Sequence, residues 1–187
     1  MFALDTALIS AWMSSVLWPF FRIGGFFLAA PIFGTQLVPA RVRIILTFLV
    51  TMVLVPNLPP MPVMDALSIS SFIVIAQQLL IGIAMGFSMQ LLLQLFVVAG
   101  QIIAMHMALG FASMVDPSNG VTVTVLSQFH LMMVTLLFVS MNGHLAMIDI
   151  LVESFYALPV GGLFISDNML MELAGRASWM FSSALLM

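Results

Sequence analysis

Residues 66–115 read ALSISSFIVIAQQLLIGIAMGFSMQLLLQLFVVAGQIIAMHMALGFASMV and contain no Asp, Glu, Lys or Arg. Asp116 interrupts this stretch, and residues 117–148 again contain none of these four types. An apolar run of about 18 to 20 residues is long enough to cross a bilayer as a helix. The two stretches therefore predict more than two membrane spans, and the expected fold class is an all-α membrane protein.

The composition of the whole chain agrees with this prediction. Hydrophobic residues make up 63% of the 187 residues and charged residues 6%, whereas about 25% of a soluble domain is charged. The four basic residues are all arginines, which is too few for a basic patch, so nucleic-acid binding is excluded. The absence of cysteine removes disulfides and thiol catalysis. The first residues lack the basic start of a cleaved signal peptide, so we expect the first segment to be a retained helix.

Proline, glycine and charge divide the chain into about five hydrophobic helical segments. They cover roughly residues 4–30, 44–55, 66–115 and 121–158, with a fifth from about Asp167. Pro19 and the pair Gly24 and Gly25 predict a bent or broken first helix. The prolines of residues 56–62 predict a stiff, extended connection after the second segment.

The third segment is too long for one simple span. As a straight helix it would measure about 75 Å, against a hydrocarbon core of about 30 Å. It either folds back as a hairpin or forms a long kinked helix that leaves the bilayer and is covered by other subunits. Glycines 82, 86, 100 and 110 are the points at which it can bend, and Gly82 and Gly86 also form a GxxxG pattern that allows close helix contact.

The strongest turn signal in the chain is Asp116-Pro117-Ser118-Asn119-Gly120, which combines a capping carboxylate, a proline and an Asn-Gly pair. In the fifth segment Glu172 and Arg176 are spaced as an i,i+4 ion pair. The chain stops inside an apolar run at residues 182–187. We therefore expect a single integral-membrane domain over residues 1–187 that is truncated at its C-terminus.

Polar residues within the apolar segments are the candidates for function. A polar stripe on one helix face is formed by Gln90, Gln94 and Gln101. It either joins helices through hydrogen bonds or lines a wet conduit. Asp149 and Glu153 share a face of a later helix, where they are either a proton relay or solvated and paired carboxylates.

Other reactive side chains are isolated in the sequence. His106 and His130 have no second ligand at helical spacing, so a metal site is not expected, nor is any cofactor. Ser113 lacks the surroundings of a GxSxG nucleophile elbow, so hydrolysis is disfavoured. The eighteen methionines either fill gaps in the core or form a deformable seal around a pore.

Four motifs, in order along the chain, carry a resemblance to a known family. They are residues 22–34 (RIGGFFLAAPIFG) with 38–43 (VPARVR), residues 110–117 (GFASMVDP), residues 142–144 (NGH), and residues 154–161 (SFYALPVG). Together they make the chain similar to the FliR family, the R subunit of the flagellar type III export gate, which has injectisome relatives. The motif residues taken from it are Arg22, Pro31, Pro39, Arg41, Arg43, Asn142, Gly143 and His144. The chain departs from the family pattern at Gln101, where a glutamate is expected.

The resemblance implies a non-enzymatic component of a closed, helical, hetero-oligomeric channel in the bacterial inner membrane, within the flagellar basal body. The implied partners are the P and Q subunits of the gate, the B-type switch subunit, the A-type export subunit, unfolded proteins in transit and membrane lipid. A loop that plugs the closed pore is carried over to Gly110, Phe111, Ala112, Ser113, Met114, Val115, Asp116, Pro117, Ser118, Asn119 and Gly120.

Three functions follow as hypotheses. The first is a plugged gate for unfolded flagellar proteins, in which Gly110 and Gly120 are hinges, Met114 is part of the seal and Phe111 is an obstruction. The alternative is a proton-coupled secondary transporter subunit that uses Asp149 and Glu153. The third, an intramembrane hydrolase, requires a nucleophile at position 113.

Overall fold

A computed structural model describes residues 6–62, 68–109, 113–115, 122–161, 175 and 182–184. Five α-helices account for most of these residues: α1 (Thr6–Ala29), α2 (Ala40–Leu54), α3 (Ile69–His106), α4 (Val125–Ser140) and α5 (Gly143–Ala157). Two short strands, β1 (Ser113–Val115) and β2 (Thr122–Thr124), lie between α3 and α4. The prediction of an all-α membrane protein is confirmed, with this one small hairpin added.

The helices that could span a membrane are few and differ in length. Within the described ranges, two helical stretches are long and apolar enough to cross a bilayer, Ala40–Asn57 and Ile69–His106. The pair α4 and α5, which is bent by 69°, adds a third if the two helices form one broken span. Helix α3 has 38 residues and measures about 57 Å, so it is nearly twice as long as the hydrocarbon core is thick.

Helix α3 decides between the two alternatives for the third segment. It is one continuous helix, so the hairpin alternative is wrong and a single long helix is confirmed, although it ends at His106 and residues 113–115 of the predicted segment form β1. It begins where Ser68, in extended conformation, accepts a hydrogen bond from the backbone N–H of Ser71 at 3.3 Å. Its glycines serve helix contact, because they face neighbouring backbones.

Helix α1 packs along α3 through these glycines. A Cβ added at Gly82 would collide with the carbonyl oxygen of Arg22, and one at Gly86 would lie 2.6 Å from that of Phe26. The close contact predicted from the GxxxG pattern is therefore confirmed. The first helix was predicted to be bent or broken; α1 is continuous through Pro19 and both glycines, so the broken alternative is wrong.

The main core lies between α1 and α5. Its buried residues are Ile23, Phe26, Phe27, Ala30, Met147 and Leu151. Phe33 extends this core, and its ring lies 5.0 Å from that of Phe27 in an edge-on arrangement. Helix α5 is thus held against α1 by aromatic and aliphatic packing.

The second helix and the connections differ in detail from the prediction. Helix α2 begins at Ala40, four positions before the predicted segment, because Pro39 with its fixed φ stands at the N-cap. A 3₁₀ turn, Val55–Asn57, follows α2, and Leu58 is then extended. The fifth predicted segment, with its ion pair between Glu172 and Arg176, lies outside the described residues.

The fourth predicted segment is not one helix. It contains β2, α4 and α5, and the two helices are separated at Met141 and Asn142. Asn142 has φ of 58°, in the left-handed region that asparagine tolerates better than most residues. The ring of Phe138 lies against Gly143, where a Cβ would collide with it. The break therefore comes from an Asn-Gly pair that forms a bend in an otherwise helical sequence.

Candidate functional site

The hairpin between α3 and α4 carries the segment predicted as a plug. Its strands pair antiparallel, with Ser113 opposite Thr124 and Val115 opposite Thr122. The chain therefore reverses direction between Val115 and Thr122, where the sequence predicted a turn. Residues 110–112 and 116–121 lie outside the described part, and residues 113–115 are described by their backbone.

Both ends of the hairpin are joined to long helices. Helix α3 ends at His106, and Ala108, with φ of 59°, turns the chain away from the helix axis. On the other side β2 leads directly into α4, because Thr124 is the N-cap and its hydroxyl accepts a hydrogen bond from the N–H of Ser127 at 3.3 Å. Strand β1 consequently follows the end of α3 by six residues, and β2 runs straight into the start of α4.

An apolar pocket lies beside the hairpin. It has a volume of about 410 Å³, opens to the surface, and is lined by Ala104, Leu109, Val125, Leu126 and Phe129. Val123 of β2 is buried. Of the polar stripe, the nearby Gln101 is half-buried on α3, and Gly100 touches the backbone of Ser127 on α4. The base of the hairpin is therefore closely packed against both helices.

A second cavity, here called the amide groove, lies between α3, α4 and the connection from α1 to α2. It has a volume of about 380 Å³, and its polar lining includes Gln90, Gln94 and Gln128. Gln101 is not part of its lining. The structure therefore brings together two of the three glutamines of the predicted stripe and adds one that was missed. A lone glutamine within the apolar run of α4 was the available signal.

The third glutamine of the groove is unusual. Gln128 is only 9% exposed, and its Oε1 atom has no hydrogen-bond partner in the described structure. A buried amide oxygen without a partner costs roughly 1–3 kcal/mol. The same groove is lined by Ile32, whose φ of 72° is strained for a β-branched residue. The unpartnered oxygen of Gln128 and the strained backbone of Ile32 thus both belong to residues that line this cavity.

Arg22 of α1 forms a buried polar cluster with residues of α3 and α5. Its side chain is fully buried and its Nε donates to Oε1 of Gln78 on α3 at 2.7 Å. The two terminal nitrogens donate to the carbonyl oxygens of Ser154 at 2.9 Å and Leu158 at 2.8 Å. The guanidinium therefore caps the C-terminal end of α5 from α1, a role that the motif alone did not indicate.

The other motif residues have different roles. Arg43 donates to the carbonyl oxygens of Phe33 at 3.1 Å and Thr35 at 3.1 Å, so it holds the connection that forms part of the groove. Arg41 and Pro39 are exposed, and Pro31 is buried. His144, next to the bend, has a buried Nδ1 without a hydrogen-bond partner among the described residues.

The remaining candidates do not form a reactive constellation. Asp149 and Glu153 are exposed on α5. His106 is exposed, and Nδ1 of His130 lies 2.9 Å from the carbonyl oxygen of Leu126 in its own helix. Within the ranges that the structure describes, no three His, Asp or Glu side chains are grouped as metal ligands would be.

The chain is similar to known bacterial export proteins over most of its length. Residues 13–187 match the family model "Bacterial export proteins, family 1". The chain is 36% identical over 177 residues to the flagellar biosynthetic protein FliR of Escherichia coli K12, covering 95% of this chain and 67% of that protein. The corresponding protein of Pectobacterium carotovorum is 35% identical, with 94% and 67% covered.

A third relative is similar over a slightly shorter stretch of this chain. The flagellar biosynthetic protein FliR of Aquifex aeolicus is 31% identical over 159 residues, covering 84% of this chain and 61% of that protein. The resemblance stated from the motifs is therefore confirmed. The chain belongs to the bacterial export proteins of family 1, and within them to the FliR family.

Proposed function

We propose that this chain is a non-enzymatic subunit of the flagellar protein export gate. In this proposal it forms part of a protein-conducting channel in the bacterial inner membrane, at the flagellar basal body, through which unfolded flagellar proteins pass. The segment from Gly110 to Gly120 is the plug of the closed channel.

One observation carries the plug assignment. Residues 113–115 pair antiparallel with 122–124, and the capped start of α4 follows without an intervening loop. A plug must be anchored so that it returns to one place, and its tip must move without disturbing the walls. A short hairpin joined to two helix ends is anchored by those helices. It can also move, because its few interstrand hydrogen bonds open more easily than the hydrogen bonds of a long helix.

The exposed apolar surface of the chain is consistent with partner subunits in the membrane. Helix α2 exposes a long row of large hydrophobic side chains: Val42, Ile44, Ile45, Phe48, Leu49, Met52 and Val53. Within the hydrocarbon core, lipid can cover such an apolar surface. Helix α3, however, is longer than the core is thick, so part of the apolar helices must lie outside the bilayer and needs another cover. In the proposal, the P and Q subunits cover the parts that leave the bilayer, while the A-type and B-type subunits act from the cytoplasm.

The decisive experiment removes the plug. Cells carrying a deletion of Ser113 to Gly120 are expected to leak ions through the assembled gate, measured as loss of membrane potential. The same deletion in cells that lack the partner subunits should not leak, because no channel is assembled. If the deletion assembles with its partners and the membrane stays tight, the plug assignment is wrong.

A further inference from the structure

Helix α2 is covered by the rest of the described structure along one side only. On that side Thr47 and Thr51 are buried, and their hydroxyls donate to backbone carbonyl oxygens of α2 itself, at 2.8 Å and 2.7 Å. The row of large hydrophobic side chains on the other side spans about 180° of the helix circumference. A helix usually packs against a protein through an apolar stripe of about 100°, so one partner helix would leave part of this face bare. Lipid can cover the whole arc.

Arg41 lies in the middle of this apolar face, in the first turn of α2. It is exposed, and it makes no hydrogen bond or ion pair with any residue that the structure describes. Ile45, Phe48 and Met52 follow it four, seven and eleven positions later, which places them in line on the same face. Arg43, in contrast, is half-buried and donates to carbonyl oxygens of the preceding connection. The face therefore carries one unpaired cation, at one end.

The distance along this line matches one leaflet of a bilayer. Eleven residues of helix rise by about 16 Å, so Met52 lies about 16 Å from Arg41 along the axis. Half of the hydrocarbon core is about 15 Å thick, which is the depth that one acyl chain fills. A lipid whose phosphate meets Arg41 would therefore end its acyl chain near Met52.

The far end of α2 also carries a side chain typical of a membrane surface. Tyr156 is exposed, and its hydroxyl donates to the carbonyl oxygen of Asn57 at 2.8 Å, just after α2 ends. Tyrosine is enriched at the level of the headgroups, where its ring is in apolar surroundings and its hydroxyl in polar ones. The stretch Ala40–Asn57 measures about 27 Å, close to the thickness of the hydrocarbon core. Its two ends thus fit the two surfaces of one bilayer.

We propose that the exposed face of α2 binds an anionic phospholipid of the bilayer, with the phosphate at Arg41 and an acyl chain along Ile45, Phe48 and Met52. The planar guanidinium offers paired N–H donors that match two phosphate oxygens. A net negative headgroup is attracted further by the unpaired charge. A partner helix would need an acidic side chain at one fixed depth to pair this arginine. The inference concerns the lipid-facing surface and does not depend on the plug.

A labelling experiment tests this site in the assembled complex. The chain and its partner subunits are reconstituted into phosphatidylcholine nanodiscs that contain, as a minor component, phosphatidylglycerol with a photo-reactive group at the end of one acyl chain. The comparison probe is phosphatidylcholine with the same group. Peptide mass spectrometry then locates the label. We expect labelling between Phe48 and Met52 to be about threefold to tenfold stronger with the anionic probe.

Two substitutions separate the charge from the fold. Arg41→Gln should abolish the preference for the anionic probe, whereas Arg41→Lys should retain most of it, because the ammonium keeps the charge. The control surface is the exposed apolar face of α4, which includes Phe129 and Leu136 and has no Arg or Lys. Labelling there should be the same with both probes and in all three proteins.

Three results would overturn the inference. Equal labelling of α2 by both probes in the unmodified complex would exclude recognition of the anionic headgroup, even if a variant failed to assemble. A preference that persists in Arg41→Gln would assign the headgroup to another residue. An α2 that neither probe labels in the assembled complex would show that a partner subunit covers this face. The ion leak expected of the plug deletion is independent of all three.

Discussion

The guanidinium of Arg22 lies over the ring of Phe155, with its central carbon 4.2 Å from the ring centroid. The same group donates to Gln78 on α3 and to two carbonyl oxygens at the end of α5. A buried cation is thus satisfied on its face by an aromatic ring and on its edges by acceptors from two other helices. Three helices meet at one side chain.

Replacing this arginine should be among the most damaging changes in the chain. Arg22→Met leaves the buried acceptors unpaired, and we expect a loss of roughly 3–5 kcal/mol in stability. Arg22→Lys should also be destabilising, because an ammonium lacks the planar fork that reaches both carbonyls. Thermal unfolding of the purified complex in detergent measures the loss.

Arg41 provides the control for this prediction. It lies exposed in the first turn of α2, and Arg41→Met should change stability by less than about 0.5 kcal/mol. Equal effects of the two substitutions would show that Arg22 acts through charge in general and not through its contacts.

The contact between α1 and α3 can be tested with single methyl groups. Gly82→Ala should disrupt assembly severely, because the new Cβ collides with the backbone carbonyl of Arg22, which cannot move aside. Overpacking of this kind costs typically 1–3 kcal/mol, and more where backbone is involved. The yield of folded protein in the membrane and its thermal stability report the effect.

Gly24→Ala is the control, at a glycine of α1 that faces α2 and not α3. Its Cβ would meet the Cγ2 atom of Thr47 at 3.5 Å, an ordinary contact. Because alanine also favours helix, this variant should be as stable as the unmodified chain or slightly more stable. A severe defect here would mean that α1 tolerates no substitution at its glycines for reasons other than space.

The bend between α4 and α5 depends on the left-handed conformation of Asn142. Asn142→Gly should preserve stability, since glycine adopts this conformation without strain. Asn142→Val should cost about 1–2 kcal/mol or more, because a β-branched residue is poorly accommodated there. Thermal unfolding separates the two variants, and equal stability of both would contradict the role of backbone conformation at this position.

The cap of α4 links hairpin anchoring to the proposed gate. Thr124→Ala removes the hydroxyl that accepts from Ser127 and should cost about 1 kcal/mol of helix-end stability. If the plug is anchored there, this variant should show a small ion leak, well below that of the plug deletion, whereas Thr124→Ser should remain tight. A leak from both variants would point to packing of the side chain and not to the cap.

Local patterns in the sequence predicted local features well. The uncharged run of residues 66–115 predicted the long helix, and the GxxxG spacing predicted the α1 contact, because each depends on residues that are neighbours on one helix face. The turn signal of residues 116–120 lies between the two strands that pair antiparallel. The family was evident from motifs that are themselves short and local.

Features that depend on distant residues could not be predicted in this way. The acceptors of Arg22 lie 56, 132 and 136 positions along the chain, so no pattern near position 22 reveals them. The strands have three residues each and give no alternation to detect. The two walls of the amide groove belong to different helices, so the stripe on α3 could not identify Gln128 on α4 as its neighbour.

The connection from Arg22 to Leu158 sets the order in which the molecule is completed. A ribosome has made 136 further residues before the last acceptor of that guanidinium exists. Until then Gln78 is the only one of these acceptors that has been made, and burying the cation in lipid with its other donors unpaired would be costly. We therefore expect the N-terminal helix to reach its final depth only after α5 has been made.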